Sequence, residues 1–303
     1  MIRIIKNKFF IFMLIIATYY TIIHVYYTQH ASLDKIYIIN LDKSPQRYKT
    51  MQEKLETVDL PVPYTRFSAI DGRKIKITNK ATGETLLGSQ ILKDKIWLKG
   101  DFDAKCQETE DPVDHVLIRN LNQEAYNRRI PGEIGIICSH KKIWQEIVEK
   151  GYKNTLVIED DIRLIPFFDS LLKTFMDNAP QDHELLFLHY RNYGQAFDNK
   201  TDNAFSSFFL TAFDTYIKNP FWKRARKSIM SVRGYILTNE GAKKLLQCDH
   251  KYAAKKFQTI DATMADCVSD QSIIAYASKP KLIYNDNEAA SISNISELGS
   301  LKE

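Results

Sequence analysis

The chain has 303 residues, of which 44% are hydrophobic and 26% are charged, the composition of an ordinary globular protein with one or two domains. Its formal net charge is only +5, and Arg3, Lys6 and Lys8 near the N-terminus supply three of those charges. The remainder has no long basic stripe, which argues against a nucleic-acid-binding protein.

The first element is the apolar run FFIFMLIIATYYTIIHVYY at residues 9–27, which contains no Lys, Arg, Asp or Glu. A helix of about 20 apolar residues spans a bilayer, and Tyr is enriched at the membrane interface. We therefore predict a single-pass membrane anchor within residues 1–30, rather than a cleaved signal peptide or a buried helix, because the segment that follows is a poor match to a cleavage site. The basic residues before the run favour a cytosolic N-terminus. Lys35, Lys43 and Arg47 follow it closely, however, so the side of the membrane stays open.

A strand and a helix begin the second domain, which we expect over residues 31–303. The β-branched, apolar run at 35–41 predicts a buried strand. Ser44 as N-cap and Pro45 at the first helical position predict a helix over 44–58.

The next predicted strand covers residues 64–70 and ends at the turn pair Asp71-Gly72. Residues 73–130 are polar and charged, and we predict a variable insertion of irregular structure there. Beyond it, Ser139 is predicted to cap a helix with one apolar face. Gly151 lies where the left-handed C-terminal residue of that helix is expected.

Strands and helices alternate through the rest of the chain. We predict strands at 155–159, 184–190 and 281–285, a helix at 167–176, and a strand, turn and helix over 231–246. This alternation predicts an α/β fold with a mostly parallel sheet that helices cover on both faces. Ligands of such sheets bind at the carboxyl ends of the strands.

Three consecutive acids, Glu159, Asp160 and Asp161, end the predicted strand at 155–159. In an extended chain Glu159 and Asp161 share one face and Asp160 points away. Carboxylates that converge at a strand end can hold a divalent cation, which would remove their mutual repulsion. The alternative, a set of solvated acids at a strand-to-loop transition, fits the composition equally well.

The four cysteines, Cys106, Cys138, Cys248 and Cys267, form no CxxC pair, so the sequence indicates neither a zinc site nor a thioredoxin-type site. Disulfides are permitted and not required. Cys138 is predicted to be a small core residue.

Four separated segments resemble the motifs of glycosyltransferase family 25, which includes lipooligosaccharide and collagen galactosyltransferases. They are YIINLDKSPQRYKTM (37–51), FSAIDG (67–72), GEIGIICSHKKIW (132–144) and LVIEDDIRL (156–164), with a weaker fifth match at GYILTNEGAKKLL (234–246). The order of the four segments makes the resemblance specific. Residues 80–130 and the tail beyond 265 match poorly.

The resemblance implies a GT-A-like fold and transfer with inversion from a nucleotide sugar, usually UDP-galactose or UDP-glucose, to a glycan or glycolipid acceptor. It also implies a divalent cation, Mn²⁺ or Mg²⁺. The acidic segment falls on the family's counterpart of the DxD motif. Asp161 is then the metal ligand, Asp160 assists it, and Glu159 contacts the ribose or, through water, the metal.

The other matched motifs imply donor-binding residues: Asn40, Asp42, Arg47, Asp71 and His140. The guanidinium of Arg47 suits a phosphate, although a surface charge on a helix is an equal alternative. The alternative for Asp71 is a turn former with no role in binding, and the alternative for His140 is a hydrogen bond to a backbone carbonyl. Gly135 is predicted to allow a close approach of two backbones.

An inverting transfer also needs a general base that takes the proton of the acceptor hydroxyl. Asp261 is the first choice, because it follows the donor-binding half of the chain. Asp266 and Asp270 compete with it, and Asp270 is equally suited to cap a helix starting at 271. The rival function is a catalytically silent, membrane-tethered binding protein. A nucleotidyltransferase or phosphohydrolase is disfavoured because the sequence has no P-loop or DxDxT motif.

Overall fold

The computed structural model describes residues 32–93, 100–106, 115–121, 130–192, 221–225, 229–253 and 257–286. The predicted anchor at 9–27 lies outside these ranges. Within them, no helix is both long and apolar enough to cross a membrane.

The first half of the described chain contains β1 (Lys35–Asn40), α1 (Pro45–Leu55), β2 (Tyr64–Ser68), a short 3₁₀ helix (Gly72–Lys74), β3 (Lys76–Asn79), β4 (Thr85–Leu87), α2 (Gly88–Lys93), β5 (Gly100–Lys105), β6 (His115–Leu121) and α3 (Ile130–Lys150). The second half contains β7 (Asn154–Glu159), β8 (Ile162–Leu164), α4 (Phe168–Asp177), β9 (Leu185–Phe187), β10 (Arg191–Asn192), β11 (Trp222–Ala225), β12 (Ile229–Met230), β13 (Gly234–Thr238), α5 (Asn239–Ala253), α6 (Ile260–Ser269), β14 (Ala275–Ser278) and β15 (Ile283–Asn285).

Seven strands form the central sheet in the order β11-β14-β9-β13-β7-β1-β2. β1 is parallel to β2 and β7, and β9 is parallel to β14. β13 is antiparallel to both β7 and β9, and β11 is antiparallel to β14. The predicted α/β fold is confirmed. The sheet, however, is a mixed one in which β13 and β11 oppose the other five strands.

The central sheet is buried on both faces. Along β1, Ile36 and Ile38 face a core shared with α1 and α4, whereas Tyr37 and Ile39 face a second core shared with α3, α5 and α6. Successive side chains of a strand point to opposite faces, so an unbroken apolar strand needs cover on both. Burying one Leu or Ile side chain contributes about 1.5–3 kcal/mol, which holds the helices against the sheet.

The region predicted as an irregular insertion is ordered where the structure describes it. β4, β3, β5 and β6 form a second, antiparallel sheet in that order. Ile77, Phe102 and Ile118 of this sheet are buried in the core that also contains α3. The prediction of irregular structure was wrong here because β3 and β4 have only four and three residues, and charged and polar residues obscure the pattern of β5 and β6.

Helix α3 differs from its prediction at one end. It begins at Ile130, so Ser139 lies inside the helix and does not cap it. Its hydroxyl donates to the carbonyl of Gly135 (2.7 Å) and accepts from the backbone N–H of Ile70 (2.9 Å). The other end is as predicted: Gly151 follows the helix with φ of +69°.

All four cysteines are paired. Cys106 beside the second sheet joins Cys138 on α3, and Cys248 on α5 joins Cys267 on α6. Cys138 is fully buried, as predicted for a core residue. The first bond ties the second sheet to the helix that carries His140, and the second ties the two helices of the same layer together.

Candidate functional site

A cleft of about 710 Å³ opens at the edge of the central sheet where β1, β2, β7 and β9 end. Its walls also include the N-terminal half of α3, the start of α6 and residues 231–233, which precede β13. Because β13 runs against its neighbours, its first residue lies at the edge where theirs end. The lining residues that the sequence had singled out are Arg47, Asp71, Gly135, Ser139, His140, Glu159, Asp160, Asp161 and Asp261.

Asp160 is buried and already holds hydrogen-bond donors on both carboxylate oxygens. Oδ2 accepts from Nδ2 of Asn40 at 2.5 Å, and Oδ1 accepts from Nη2 of Arg47. The amide of Asn40 also donates to the carbonyl of Ser44 (3.0 Å), which ties the acidic segment to the start of α1. Arg47 therefore lines the cleft and is held there by Asp160.

Asp161 lies between two guanidiniums. Its Oδ2 is 3.6 Å from Nη2 of Arg47 and 3.8 Å from Nη2 of Arg233. Its Oδ1 is buried and has no hydrogen-bond partner among the described residues. Burial and the charge of Glu159 raise the pKa of Asp161 above its usual value, and the two arginines only partly oppose this. The site therefore contains an acceptor oxygen that a bound cation or donor group can satisfy.

Glu159 ends a chain of buried polar groups. Nε1 of Trp144 donates to the hydroxyl of Tyr235 (2.9 Å), and that hydroxyl lies 2.8 Å from Nδ1 of His140. Since the indole only donates, the tyrosine proton is available to His140 Nδ1, and on this network we assign the imidazole proton to Nε2. Nε2 faces Oε1 of Glu159 at 3.9 Å, which is too long for a hydrogen bond.

The ionised form of Glu159 is favoured in this setting. Burial raises its pKa, but the His140 imidazole, together with the charges of Arg233 and Arg47, outweighs that effect, so the pKa lies below its usual value. His140 thus bonds the tyrosine and lies beside the acidic segment. Among the described residues it bonds no backbone carbonyl, which was the alternative.

Two of the predicted donor-binding residues do not line the cleft. Asn40 is buried beneath Asp160, and its Oδ1 accepts from Arg66 at 2.8 Å. Asp42 is exposed and accepts from Ser68 (2.8 Å) and Arg66 (2.7 Å), which lower the pKa of its carboxyl. Both residues position the loop after β1 and contribute no surface to the cleft.

Asp71 lines the cleft and also serves the turn. Its carboxylate accepts from Nη2 (2.6 Å) and the backbone N–H (3.2 Å) of Arg73, and from Lys43 (3.3 Å). Hydrogen bonds from Arg73 and Lys43 hold the pKa of Asp71 well below its usual range. The residue brings two cationic side chains to the rim of the cleft.

Of the three candidate bases, only Asp261 lines the cleft. It lies in the first turn of α6, and its Oδ1 accepts from the hydroxyl of Thr259 and from the backbone N–H of Ala262 (2.9 Å). Asp266 lies on the same helix, and its carboxylate accepts at 2.6 Å from Gln258, which precedes the helix. Asp270 follows the last turn of α6, and the segment after it forms strand β14, so the helix expected from 271 onward was wrong.

Arg233 was not among the residues that the sequence singled out. It lines the cleft from the segment before β13, beside Ser231, whose hydroxyl lies 2.6 Å from Nδ1 of His189. The direction of β13 would have been needed to find it, because in a parallel strand residue 233 would lie at the opposite edge of the sheet.

The carboxylates offer a limited set of metal ligands. Within the described ranges, no group of three or more His, Cys, Asp and Glu residues could hold a metal ion. Asp161, with its unpartnered oxygen, and Glu159, which is close enough to raise the pKa of Asp161, are the available pair. Mg²⁺ is commonly bound by one or two carboxylates plus substrate phosphates, so such a pair fits a cation that arrives with a phosphate ligand.

The fold and the cleft together define an α/β protein with a polar binding site where parallel strands end. The family model described as glycosyltransferase family 25 (LPS biosynthesis protein) matches residues 33–264. The chain therefore belongs to glycosyltransferase family 25.

The chain is similar to several curated proteins. It is 24% identical over 264 residues to a glycosyltransferase 25 family member of Drosophila melanogaster, covering 84% of this chain and 36% of that protein. It is 27% identical over 165 residues to human procollagen galactosyltransferase 2, covering 54% of this chain and 21% of that protein. A rat relative, 28% identical over 150 residues, covering 48% of this chain and 20% of that protein, is named a probable inactive family member. The chain thus spans about a third or less of the length of these relatives.

Proposed function

We propose that the protein is a GT-A-like, inverting glycosyltransferase that moves a hexose, galactose or glucose, from a UDP-sugar to a glycan or lipooligosaccharide-type acceptor. One observation carries the proposal: segments that are far apart in sequence, after β1, after β2, on α3 and after β7, meet in a single cleft. These are the segments that resemble the motifs of the family, and the family match and the galactosyltransferase relatives support the same reaction.

The charge of the cleft supports a requirement for Mn²⁺ or Mg²⁺. Around the acidic segment, Glu159, Asp160 and Asp161 carry three negative charges against the two positive charges of Arg47 and Arg233, so this part of the cleft is net negative. An anionic diphosphate would be repelled by that charge unless a cation bound with it. Asp161 and Glu159 would hold the cation, which stabilises the negative charge of a departing diphosphate. Asp160, whose oxygens already accept from Arg47 and Asn40, positions Arg47.

Asp261 is the proposed general base. It faces the same cleft as the acidic segment but comes from α6 on another wall, so an acceptor hydroxyl can lie between them. The base takes the proton of the acceptor hydroxyl as the new glycosidic bond forms and the bond between sugar and diphosphate breaks. The engaged Oδ1 fixes the orientation of the carboxylate, which leaves Oδ2 for the hydroxyl.

The second candidate function is a catalytically silent binding protein, which the name of the rat relative favours. A donor screen separates the two functions. The full chain in detergent is incubated with a panel of nucleotide sugars and sugar acceptors, with and without Mn²⁺, and nucleotide release is measured. We expect release with UDP-galactose or UDP-glucose and none in EDTA. Binding of UDP without any release would establish the silent function.

Two variants sharpen this experiment. Asp161→Ala should lower the rate by about 100-fold or more, the scale of losing one catalytic electrostatic group. Asp182→Ala is the matched control, because this carboxylate lies at the surface and bonds Arg224 and Tyr276 outside the cleft. Full activity of wild type in EDTA would refute the metal requirement.

We also propose that the domain is lumenal and that residues 9–27 anchor it as a single-pass helix. Both cysteine pairs are oxidised, and structural disulfides persist in the secretory pathway and in other oxidising compartments. Thiol labelling without reduction should leave all four cysteines unmodified. The full chain should also resist carbonate extraction from membranes. Labelled cysteines would overturn the lumenal location, and a chain that washes off would overturn the membrane anchor.

A further inference from the structure

Arg233 is fixed by its backbone next to the acidic segment. The N–H of Glu159 donates to the carbonyl of Arg233 at 3.0 Å, which continues the ladder in which Gly234 pairs with Ile158. The side chain is one-quarter exposed and lines the cleft. Its position is therefore set by sheet pairing, and its guanidinium reaches the site where the donor of the proposed function would bind.

The guanidinium of Arg233 is less fully hydrogen-bonded than that of Arg47. Arg47 donates to Asp160 through Nη2. Arg233 has a buried Nη1 with no hydrogen-bond partner among the residues that the structure describes, and its Nη2 lies 3.8 Å from Asp161. A buried N–H without a partner is unfavourable, and a ligand oxygen would relieve it. The acceptor that fits a guanidinium fork is a carboxylate or a phosphate.

We propose that Arg233 binds the diphosphate of the nucleotide-sugar donor through the N–H groups that the protein leaves unsatisfied. The proposal rests on the nucleotide donor of the proposed function and adds a contact that the family motifs in the sequence do not contain. Carboxylates crowd this part of the cleft, so the diphosphate would bind Arg233 together with a cation that offsets their charge. Arg233 would then hold the leaving group as its charge develops.

A different role makes the opposite prediction. If Arg233 only neutralised Asp161, its removal would make the carboxylate site more negative and would strengthen the binding of Mn²⁺. UDP that binds together with the cation would then bind as tightly as before or more tightly. A direct phosphate contact predicts that UDP binds more weakly.

Calorimetry on the full chain in detergent measures whether the loss of Arg233 weakens or strengthens the binding of UDP. UDP and uridine are titrated into wild type, Arg233→Gln and Arg233→Lys at saturating Mn²⁺, with Arg224→Gln as control because Arg224 pairs with Asp182 on the surface. We expect Arg233→Gln to weaken UDP binding by about 10- to 100-fold, as when a hydrogen bond to a charged group is lost. Uridine binding should stay unchanged, and Arg233→Lys, which keeps the charge and loses the fork, should be intermediate.

Each outcome is decisive. UDP affinity that is unchanged or higher in Arg233→Gln overturns the phosphate contact while leaving the proposed function intact. UDP binding that depends on Arg233 in a protein without transferase activity supports the contact and overturns the proposed catalysis. A wild-type chain that binds no nucleoside diphosphate overturns both. If Arg233→Gln fails to fold, the Arg233→Lys titration decides alone. Wild-type UDP affinity in that variant refutes the contact between the guanidinium and the diphosphate.

Discussion

The hydroxyl of Tyr235 offers a sharp test of the buried chain that leads to Glu159. Tyr235, Trp144 and His140 are at most 1% exposed, so no water replaces a bond that is removed. Tyr235→Phe deletes one oxygen and preserves the ring. It leaves the indole N–H of Trp144 and Nδ1 of His140 without their partner.

The expected effect follows from those two groups. Each buried polar group that loses its partner costs about 1–3 kcal/mol, and the two are in contact, so their effects are not independent. Removing the oxygen also leaves a small void. We therefore expect Tyr235→Phe to lower the free energy of unfolding by about 2–4 kcal/mol.

Urea unfolding followed by far-ultraviolet circular dichroism measures this change, and the midpoint should fall while the slope stays constant. Tyr276→Phe is the matched control: it removes the same atom from β14 of the same sheet, but that hydroxyl bonds Asp182 and Arg224 near the surface, where water can replace them. Its effect should stay within about 0.5–1 kcal/mol.

A Tyr235→Phe variant as stable as Tyr276→Phe would refute the reasoning. It would mean that Trp144 and His140 find other partners or water when the hydroxyl is absent. The same variant also tests the tautomer of His140, because the tyrosine proton fixes Nδ1 as an acceptor. If the transfer activity of Tyr235→Phe matched wild type at every pH, the Tyr235 hydroxyl proton would have no influence on the ionisation of Glu159.

Three further changes test other parts of the molecule. Asp261→Asn should reduce transfer by about 10²- to 10⁴-fold with donor affinity near wild type in calorimetry, and a matching loss of donor affinity would place the residue in the donor site. Gly135→Ala should destabilise the protein by about 1–3 kcal/mol in urea unfolding, because the new Cβ would lie 2.6 Å from a backbone oxygen, whereas Gly132→Ala, with nothing within 4 Å, should not. Lys141→Met should cost about 3–5 kcal/mol because it leaves Asp249 buried without its cation, and a second change of Asp249 to Leu should restore most of that loss.

Local sequence pattern was sufficient for the elements whose signals are short-range. The apolar run of β1 predicted a strand buried on both faces, and Pro45 began α1 where expected. Gly135 was predicted to allow close backbone approach, and an added Cβ there would lie 2.6 Å from the carbonyl of Ile70. These features depend on propensity, periodicity and turn chemistry, which the neighbouring residues of the chain determine.

The sequence pattern gave wrong predictions where one residue type can serve two structural roles and where a strand is too short to show a period. Ser139 looks like a cap in sequence, yet inside a helix its hydroxyl can donate instead to the carbonyl four residues back, as it does here to Gly135. The strands β3 and β4 contain too few residues to show a period, so the second sheet was not predicted. The sequence also suggested that Asp270 caps a helix starting at 271, although the chain there continues into β14.

The composition of the cleft shows what the sequence determined and what only the tertiary structure decided. The sequence alone indicated Glu159, Asp160 and Asp161 at the end of a strand, because an acidic run after an apolar one is a local feature. It could not indicate Arg233, whose place beside those acids depends on the direction of β13. A strand carries no sequence signal for the direction in which it enters a sheet; that direction follows from the path of the whole chain. The antiparallel entry of β13 brings a guanidinium to carboxylates more than seventy residues away, and so makes an acidic strand end into a site of mixed charge.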